Sequence, residues 1–154
     1  MADVPVKHPA GDDAMRAPSR AAIDNLMPAL KSDLDRLVRI PSVSAPDHVS
    51  DAVLEAHDLV VELFENAGVE RLERLDLPDT APVVIGEIPA PPGAPTVLLY
   101  SHYDVVAAGD EAQWSSPPFE PTERDGALFG RGTADSKANV IAHVGASACR
   151  RAQC

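Results

Sequence analysis

The 154-residue sequence is 45% hydrophobic and carries a formal net charge of −11 at pH 7. This length suits one domain with a hydrophobic core, and the acidic charge argues against nucleic acid or an anionic membrane as the main partner. Cysteines occur only at Cys149 and Cys154, so we expect a cytoplasmic or redox-indifferent protein without a disulfide framework. No apolar run has transmembrane length.

The first part of the chain predicts a tail followed by two amphipathic helices. Residues 1–18 are polar, contain prolines and lack apolar periodicity, which indicates a disordered N-terminal tail. Apolar residues then recur at steps of three and four over residues 23–38 and again over residues 49–67. Asp47 is a candidate N-cap for the second helix, and Gly68 is placed to end it.

Short β-strands and a third helix are predicted in the rest of the chain. Residues 69–77 and 82–88 have the composition of strands. The uncharged run Thr96–Tyr100 indicates a strand buried on both faces, as inside a parallel sheet. An apolar-periodic segment over residues 140–148 predicts the last helix. This order predicts an α/β layered sandwich with a mostly parallel or mixed central sheet flanked by helices.

His102 and Asp104 follow directly after the predicted buried strand. Side chains two positions apart on an extended chain point to the same side. In open α/β sheets, ligands bind at the carboxyl ends of the strands. An imidazole and a carboxylate at this place are half of a metal or acid/base site, and the alternative is a capped strand end with a surface His–Asp pair.

A long loop and a glycine-rich segment precede the last predicted helix. Residues 107–125 read mostly as loop, which Trp114 and Phe119 are expected to anchor by packing. Asp135 lies just before the helix, where an aspartate is commonly an N-cap. A phosphate-binding loop over Gly130–Thr133 is a further alternative, which the absence of G-x-x-x-x-G-K-[ST] and the net charge disfavour.

Two motif clusters, taken together, resemble a known enzyme family. The motifs, in chain order, are Ile40-Pro41-Ser42-Val43-Ser44, Leu98-Leu99-Tyr100-Ser101-His102-Tyr103-Asp104-Val105, Trp114, Pro117-Pro118-Phe119 and Gly130-Arg131-Gly132-Thr133-Ala134-Asp135-Ser136-Lys137. They resemble the di-zinc exopeptidases that include aminoacylases, carnosine-type dipeptidases and carboxypeptidase G, and are most similar to the dipeptidase branch. The resemblance implies that residues 19–154 form the N-terminal part of a metallopeptidase catalytic domain.

The resemblance also implies roles for three residues. His102 would ligate one metal ion, Asp135 would bridge two zinc ions, and Asp104 would be the catalytic-site carboxylate that orients and polarises His102. A bridging carboxylate makes chemical sense because its two oxygens can hold two cations about 3.5–4 Å apart. The implied reaction is zinc-dependent hydrolysis of the peptide bond in dipeptides or small peptides, with cobalt or manganese as possible substitutes.

Other parts of the family's machinery find no counterpart in this sequence. The family has a Glu-Glu pair that supplies the general base and a zinc ligand, a second histidine ligand, and a lid or dimerisation domain through which members often form homodimers. His57 and His143 match no family ligand, so we expect solvated or structural roles for them. Two hypotheses stay open: the N-terminal part of a dipeptidase, or a truncated and catalytically inactive fragment, which the basic end over residues 146–154 favours.

Overall fold

The computed structural model describes residues 20–45 and 48–151. The helices are α1 (Arg20–Arg39), α2 (Asp51–Asn66) and α3 (Lys137–Arg151). The strands are β1 (Arg71–Leu75), β2 (Val83–Glu87), β3 (Thr122–Arg124) and β4 (Ala127–Phe129). The predicted tail over residues 1–18 and the candidate cap Asp47 lie outside the described residues. Among the described helices, none is long and apolar enough to span a bilayer.

The three helices form where the apolar periodicity predicts them. α2 begins after Ser50, whose side-chain oxygen accepts a hydrogen bond from the Val53 amide at 3.3 Å. This bond satisfies one of the amides that have no partner inside the first turn of a helix. Beyond the other end, Gly68 has a φ of 87°, which glycine adopts without a steric penalty, so the predicted helix stop is confirmed.

The hydrophobic core lies where the three helices meet. Leu37 of α1 is fully buried, and it packs in one cluster with buried side chains of α2 and α3 that include Val60 and Ile141. Gly145 allows α3 to approach α1 closely, because a Cβ atom there would lie 2.8 Å from Leu30 Cδ1. The helices therefore form the packed core, against which Val84 of β2 and Tyr103 also pack.

The described strands form two separate antiparallel pairs, β1 with β2 and β3 with β4. The predicted mixture of helices and strands is confirmed, but the described residues contain no mostly parallel central sheet. The structure also corrects the buried strand predicted for Thr96–Tyr100. This run pairs with no described strand, and Val97, Leu98 and Tyr100 are 74%, 88% and 79% exposed. Burial on both faces requires covering layers and neighbouring strands, which the run cannot supply itself.

Truncating the core side chain of Leu37 tests the helical packing. We expect Leu37→Ala to lower the free energy of unfolding by about 2–5 kcal/mol, because it removes buried methyl groups and leaves a cavity. Urea denaturation followed by circular dichroism measures the change. Ile23→Ala, at an exposed position of the same helix, is the matched control and should stay within about 0.5 kcal/mol. Equal losses in the two variants would contradict this core.

The exposed apolar run Thr96–Tyr100 predicts self-association of the purified chain. Unpaired extended backbone with large apolar side chains is a template for pairing with other chains. A charge at the most exposed of its large apolar side chains, in Leu98→Asp, should therefore raise the fraction of monomer in analytical ultracentrifugation. Leu77→Asp adds the same charge at an exposed leucine outside the run and should leave that fraction nearly unchanged. A Leu98→Asp variant that associates like the original chain would refute the prediction.

Candidate metal-binding site

The segment that carries His102 is anchored to the chain that follows α1. The Val105 amide donates a hydrogen bond to the Ser42 carbonyl at 2.9 Å, and the Ser44 amide donates to the Val105 carbonyl at 3.0 Å. The Ser42 hydroxyl donates to the Tyr103 carbonyl at 2.8 Å. These bonds include a short parallel pairing of Val43 with Val105, and they fix the backbone just after His102, on both sides of Asp104.

Asp135 lies in the turn between β4 and α3. The turn closes through a hydrogen bond from the Lys137 amide to the Gly132 carbonyl at 3.0 Å, and the Asp135–Ser136 peptide bond is cis. Gly132 has a φ of 90°, and a Cβ atom there would lie 2.9 Å from Val105 Cγ1. A side chain at this position would be strained and would clash, so glycine lets the turn lie directly against the segment that carries His102.

The structure brings the three predicted site residues together. His102 Nε2 lies 3.0 Å from Asp135 Oδ1, although 33 positions separate the two residues in the sequence. The other ring nitrogen, Nδ1, lies 3.0 Å from the Asp104 main-chain oxygen and 3.2 Å from Asp104 Oδ1. Asp104 therefore holds one side of the imidazole, and the opposite side of the ring faces Asp135.

The electrostatics of this cluster favour a positive charge on or near His102. Partial burial alone would lower the pKa of the imidazole. Hydrogen bonds to the Asp104 main chain and the Asp135 carboxylate, together with the charges of both carboxylates, outweigh this effect and raise the pKa above its usual value. The Asp135 side chain is 90% exposed, so its carboxylate is accessible to an ion from solvent.

The donor atoms fit part of a zinc site. Imidazole nitrogen and carboxylate oxygen are both zinc ligands, and the second nitrogen of a zinc-bound histidine usually donates to a carbonyl or carboxylate, as Asp104 allows here. A catalytic zinc ion takes about three protein ligands. Over residues 20–45 and 48–151, no group of three His, Cys, Asp or Glu side chains is placed to hold a metal ion. The described part of the chain thus offers two candidate ligands, His102 and Asp135, together with Asp104, which orients the imidazole.

The loop between the two halves of the site is held by aromatic contacts. Trp114 Nε1 donates a hydrogen bond to the Ala108 carbonyl at 3.0 Å, and the guanidinium of Arg131 lies over the indole, 5.1 Å from its centre. Trp114 thus has the anchoring contacts expected from the sequence. Of the two helical histidines expected to be solvated or structural, His57 is buried in α2, and His143 Nδ1 lies 3.4 Å from Ser101 Oγ.

The sequence analysis missed Lys137 as part of the site's framework. Its side chain is fully buried, and Nζ donates hydrogen bonds to the carbonyls of Leu37 and Ile40 at 2.8 and 2.7 Å. Burial lowers the pKa of Lys137 to about 8. A signal was present in the sequence: Lys137 stands four and seven positions before the buried Ile141 and Val144, and therefore on the apolar face of α3.

Comparisons with known sequences find relatives among peptidases. Residues 98–153 match the pattern described as Peptidase family M20/M25/M40. A cysteinylglycine-S-conjugate dipeptidase of Corynebacterium striatum is 46% identical over 102 residues, which cover 66% of this chain and 22% of that protein. The Cys-Gly metallodipeptidase dug1 of Schizosaccharomyces pombe is 35% identical over 134 residues, which cover 80% of this chain and 28% of that protein.

Comparisons with solved structures give the same result for the fold. The dipeptidase Dug1p of Saccharomyces cerevisiae and human carnosine dipeptidase 1 both match with a TM-score of 0.76, at 25% and 28% identity. Each match covers 86% of this chain and 30% of the neighbour, so the chain spans less than a third of these proteins. By its motifs, its sequence relatives and its fold, the chain belongs to peptidase family M20/M25/M40.

Proposed function

We propose that this chain supplies the His102–Asp135 part of the metal site of a zinc-dependent dipeptidase, which hydrolyses the peptide bond of dipeptides or small peptides. The observation that carries the proposal is the 3.0 Å approach of His102 Nε2 to Asp135 Oδ1, with Asp104 behind the ring. Membership of a peptidase family and relatives named as dipeptidases support the type of reaction.

Each of the three residues has a separate task in this proposal. Bound zinc supplies an activated water and a polarised carbonyl for amide hydrolysis. His102 presents Nε2 as a ligand because Asp104 engages Nδ1, and the carboxylate of Asp104 orients the ring and increases its basicity. Asp135 offers two oxygens on an exposed side chain, which suits it to bridge two metal ions, with cobalt or manganese as substitutes for zinc.

The proposal assigns the remaining machinery to polypeptide outside the described residues. Amide hydrolysis also needs a base that takes a proton from the attacking water. In the described part of this chain, the carboxylates that contact His102 are those of Asp104 and Asp135, and both already have other tasks. The longer relatives have room for a base and further ligands, since this chain spans 22% and 28% of two of them. A homodimer and a cytoplasmic location are part of the same proposal.

Zinc binding by the 154-residue chain is the direct test of the ligands. We expect less than one zinc ion per chain after dialysis, because two side-chain ligands bind far more weakly than a complete set. In a zinc titration followed by NMR, the His102 ring signals should shift. His102→Ala should remove most zinc binding, whereas His48→Ala, at an exposed histidine, should retain it. Two tightly bound ions per chain would contradict the incomplete site, and undiminished binding by His102→Ala would contradict the ligand assignment.

Catalysis provides a second test, with a longer protein as the comparison. The 154-residue chain alone should show no measurable dipeptide hydrolysis with added zinc, since a missing general base costs about 10²–10⁴-fold and missing ligands cost more. A chimera continued with the C-terminal part of the Corynebacterium striatum relative should hydrolyse dipeptides in a chelator-sensitive reaction.

Variants of that chimera separate the site from the rest of the protein. His102→Ala and Asp135→Ala should abolish turnover, and His48→Ala should preserve it. Chelator-sensitive cleavage by the 154-residue chain would show that the base is present in it after all. Full activity of the chimera with His102→Ala would contradict the assignment of His102 as a metal ligand.

A further inference from the structure

We propose that Ser42 and Lys137 are positioning residues that bring the two halves of the candidate site together. Both act through one short stretch, residues 37–44, which we call the bracket segment. It comprises the end of α1 and the connector that follows. The inference rests on the proposed function, because it concerns His102 and Asp135 as metal ligands.

Ser42 holds the half of the site that carries His102. Its side chain is fully buried, and its hydroxyl donates to the carbonyl of Tyr103, the residue next to His102, at 2.8 Å. Its carbonyl accepts a hydrogen bond from the amide of Val105, the residue next to Asp104, at 2.9 Å. One residue of the bracket segment therefore bonds on both sides of Asp104, the residue that orients the imidazole of His102.

Lys137 holds the half of the site that carries Asp135, two positions earlier in the chain. Its ammonium donates to the Leu37 and Ile40 carbonyls at 2.8 and 2.7 Å. Leu37 lies in the last turn of α1 and Ile40 directly follows the helix, a place where the helix dipole favours a cation. Each carbonyl also accepts a hydrogen bond from a nearby amide, and the ammonium adds a second bond to each. The methylene stem lies against the turn, because a Cβ atom at Gly132 would lie 3.0 Å from Lys137 Cδ.

The hydrogen bonds of Ser42 and those of Lys137 together fix the distance between His102 and Asp135. His102 and Asp135 belong to segments 33 positions apart, and each segment is tied to the bracket segment rather than held by the imidazole–carboxylate contact alone. An apolar side chain would fill the place of Lys137 without the cost of burying an ammonium group. A charged group that reaches across to α1 instead tethers the turn, and so sets where the carboxylate of Asp135 meets the imidazole.

The proposal is tested with two variants of the bracket and two matched controls. Ser42→Ala removes the hydroxyl, and Lys137→Met removes the ammonium but keeps an unbranched apolar stem. Ser44→Ala changes an exposed serine of the same segment, and Lys31→Met changes an exposed lysine of α1 that pairs with Glu123. The zinc dissociation constant is measured from the His102 ring signals under conditions where each variant is folded, and unfolding by urea is measured separately.

We expect the zinc dissociation constant to rise about 10- to 100-fold in Ser42→Ala and in Lys137→Met, as for other groups that orient metal ligands. The controls should stay within about twofold. The double variant should lose less affinity than the product of the two single losses, because both residues act on the same distance. A purely stabilising role would lower the free energy of unfolding and leave zinc affinity of the folded protein unchanged, which would overturn the inference.

A measurement without metal separates this inference from the proposed function. In the original chain, NMR should show magnetisation transfer between the His102 ring and the side-chain protons of Asp135, and this transfer should weaken in both bracket variants. If zinc does not shift the His102 ring signals of the original chain, the proposed function fails. The magnetisation transfer between His102 and Asp135 then decides the inference by itself. An unchanged contact in Ser42→Ala overturns the inference even if Lys137→Met does not fold.

Discussion

The buried ammonium of Lys137 is the contact on which the arrangement of the candidate site depends. Removing an ammonium group from water costs several kcal/mol unless hydrogen bonds and favourable charges compensate. Here the compensation comes from the carbonyls of Leu37, in the last turn of α1, and of Ile40, directly after it, where the helix dipole also favours a cation. Burial lowers the pKa of Lys137 to about 8, and the negative charge of Asp104 opposes this effect. The end of α1, the turn before α3 and the start of α3 thus stabilise one another.

In the candidate site, one side of the His102 imidazole is held in place and the other side faces an exposed carboxylate. His102 is held from behind by Asp104, through both a main-chain and a side-chain oxygen, whereas Asp135 in front is almost fully exposed. The main-chain oxygen of Asp104 and the same two carboxylates that would attract a metal ion also stabilise a proton on the imidazole, and together they outweigh partial burial and raise its pKa. Proton and metal ion therefore compete for one nitrogen, as at other histidine ligands.

Much of the local structure follows from the sequence alone. The steps of three and four between apolar residues determine the helices, because burying one stripe of a helix needs only that spacing. Gly68 ends α2 as expected, since its left-handed backbone favours glycine whatever the surroundings. The motifs around His102, Asp104 and Asp135 identified the residues that the structure brings together, although their metal-binding roles stay predictions.

Two features of the structure depend on contacts between distant parts of the chain: the exposure of Thr96–Tyr100 and the hydrogen bonds of Lys137. Thr96–Tyr100 has the composition of a buried strand, yet it is exposed, because burial depends on neighbouring strands and covering helices rather than on the run itself. The sequence marks Lys137 only as a charge on an apolar helix face, and its partner carbonyls lie 97 and 100 positions away. The sequence therefore determined the local elements and the candidate ligands. Tertiary packing decided which of these elements are buried and how far His102 lies from Asp135, because apolar periodicity depends only on residues that are close together in the sequence.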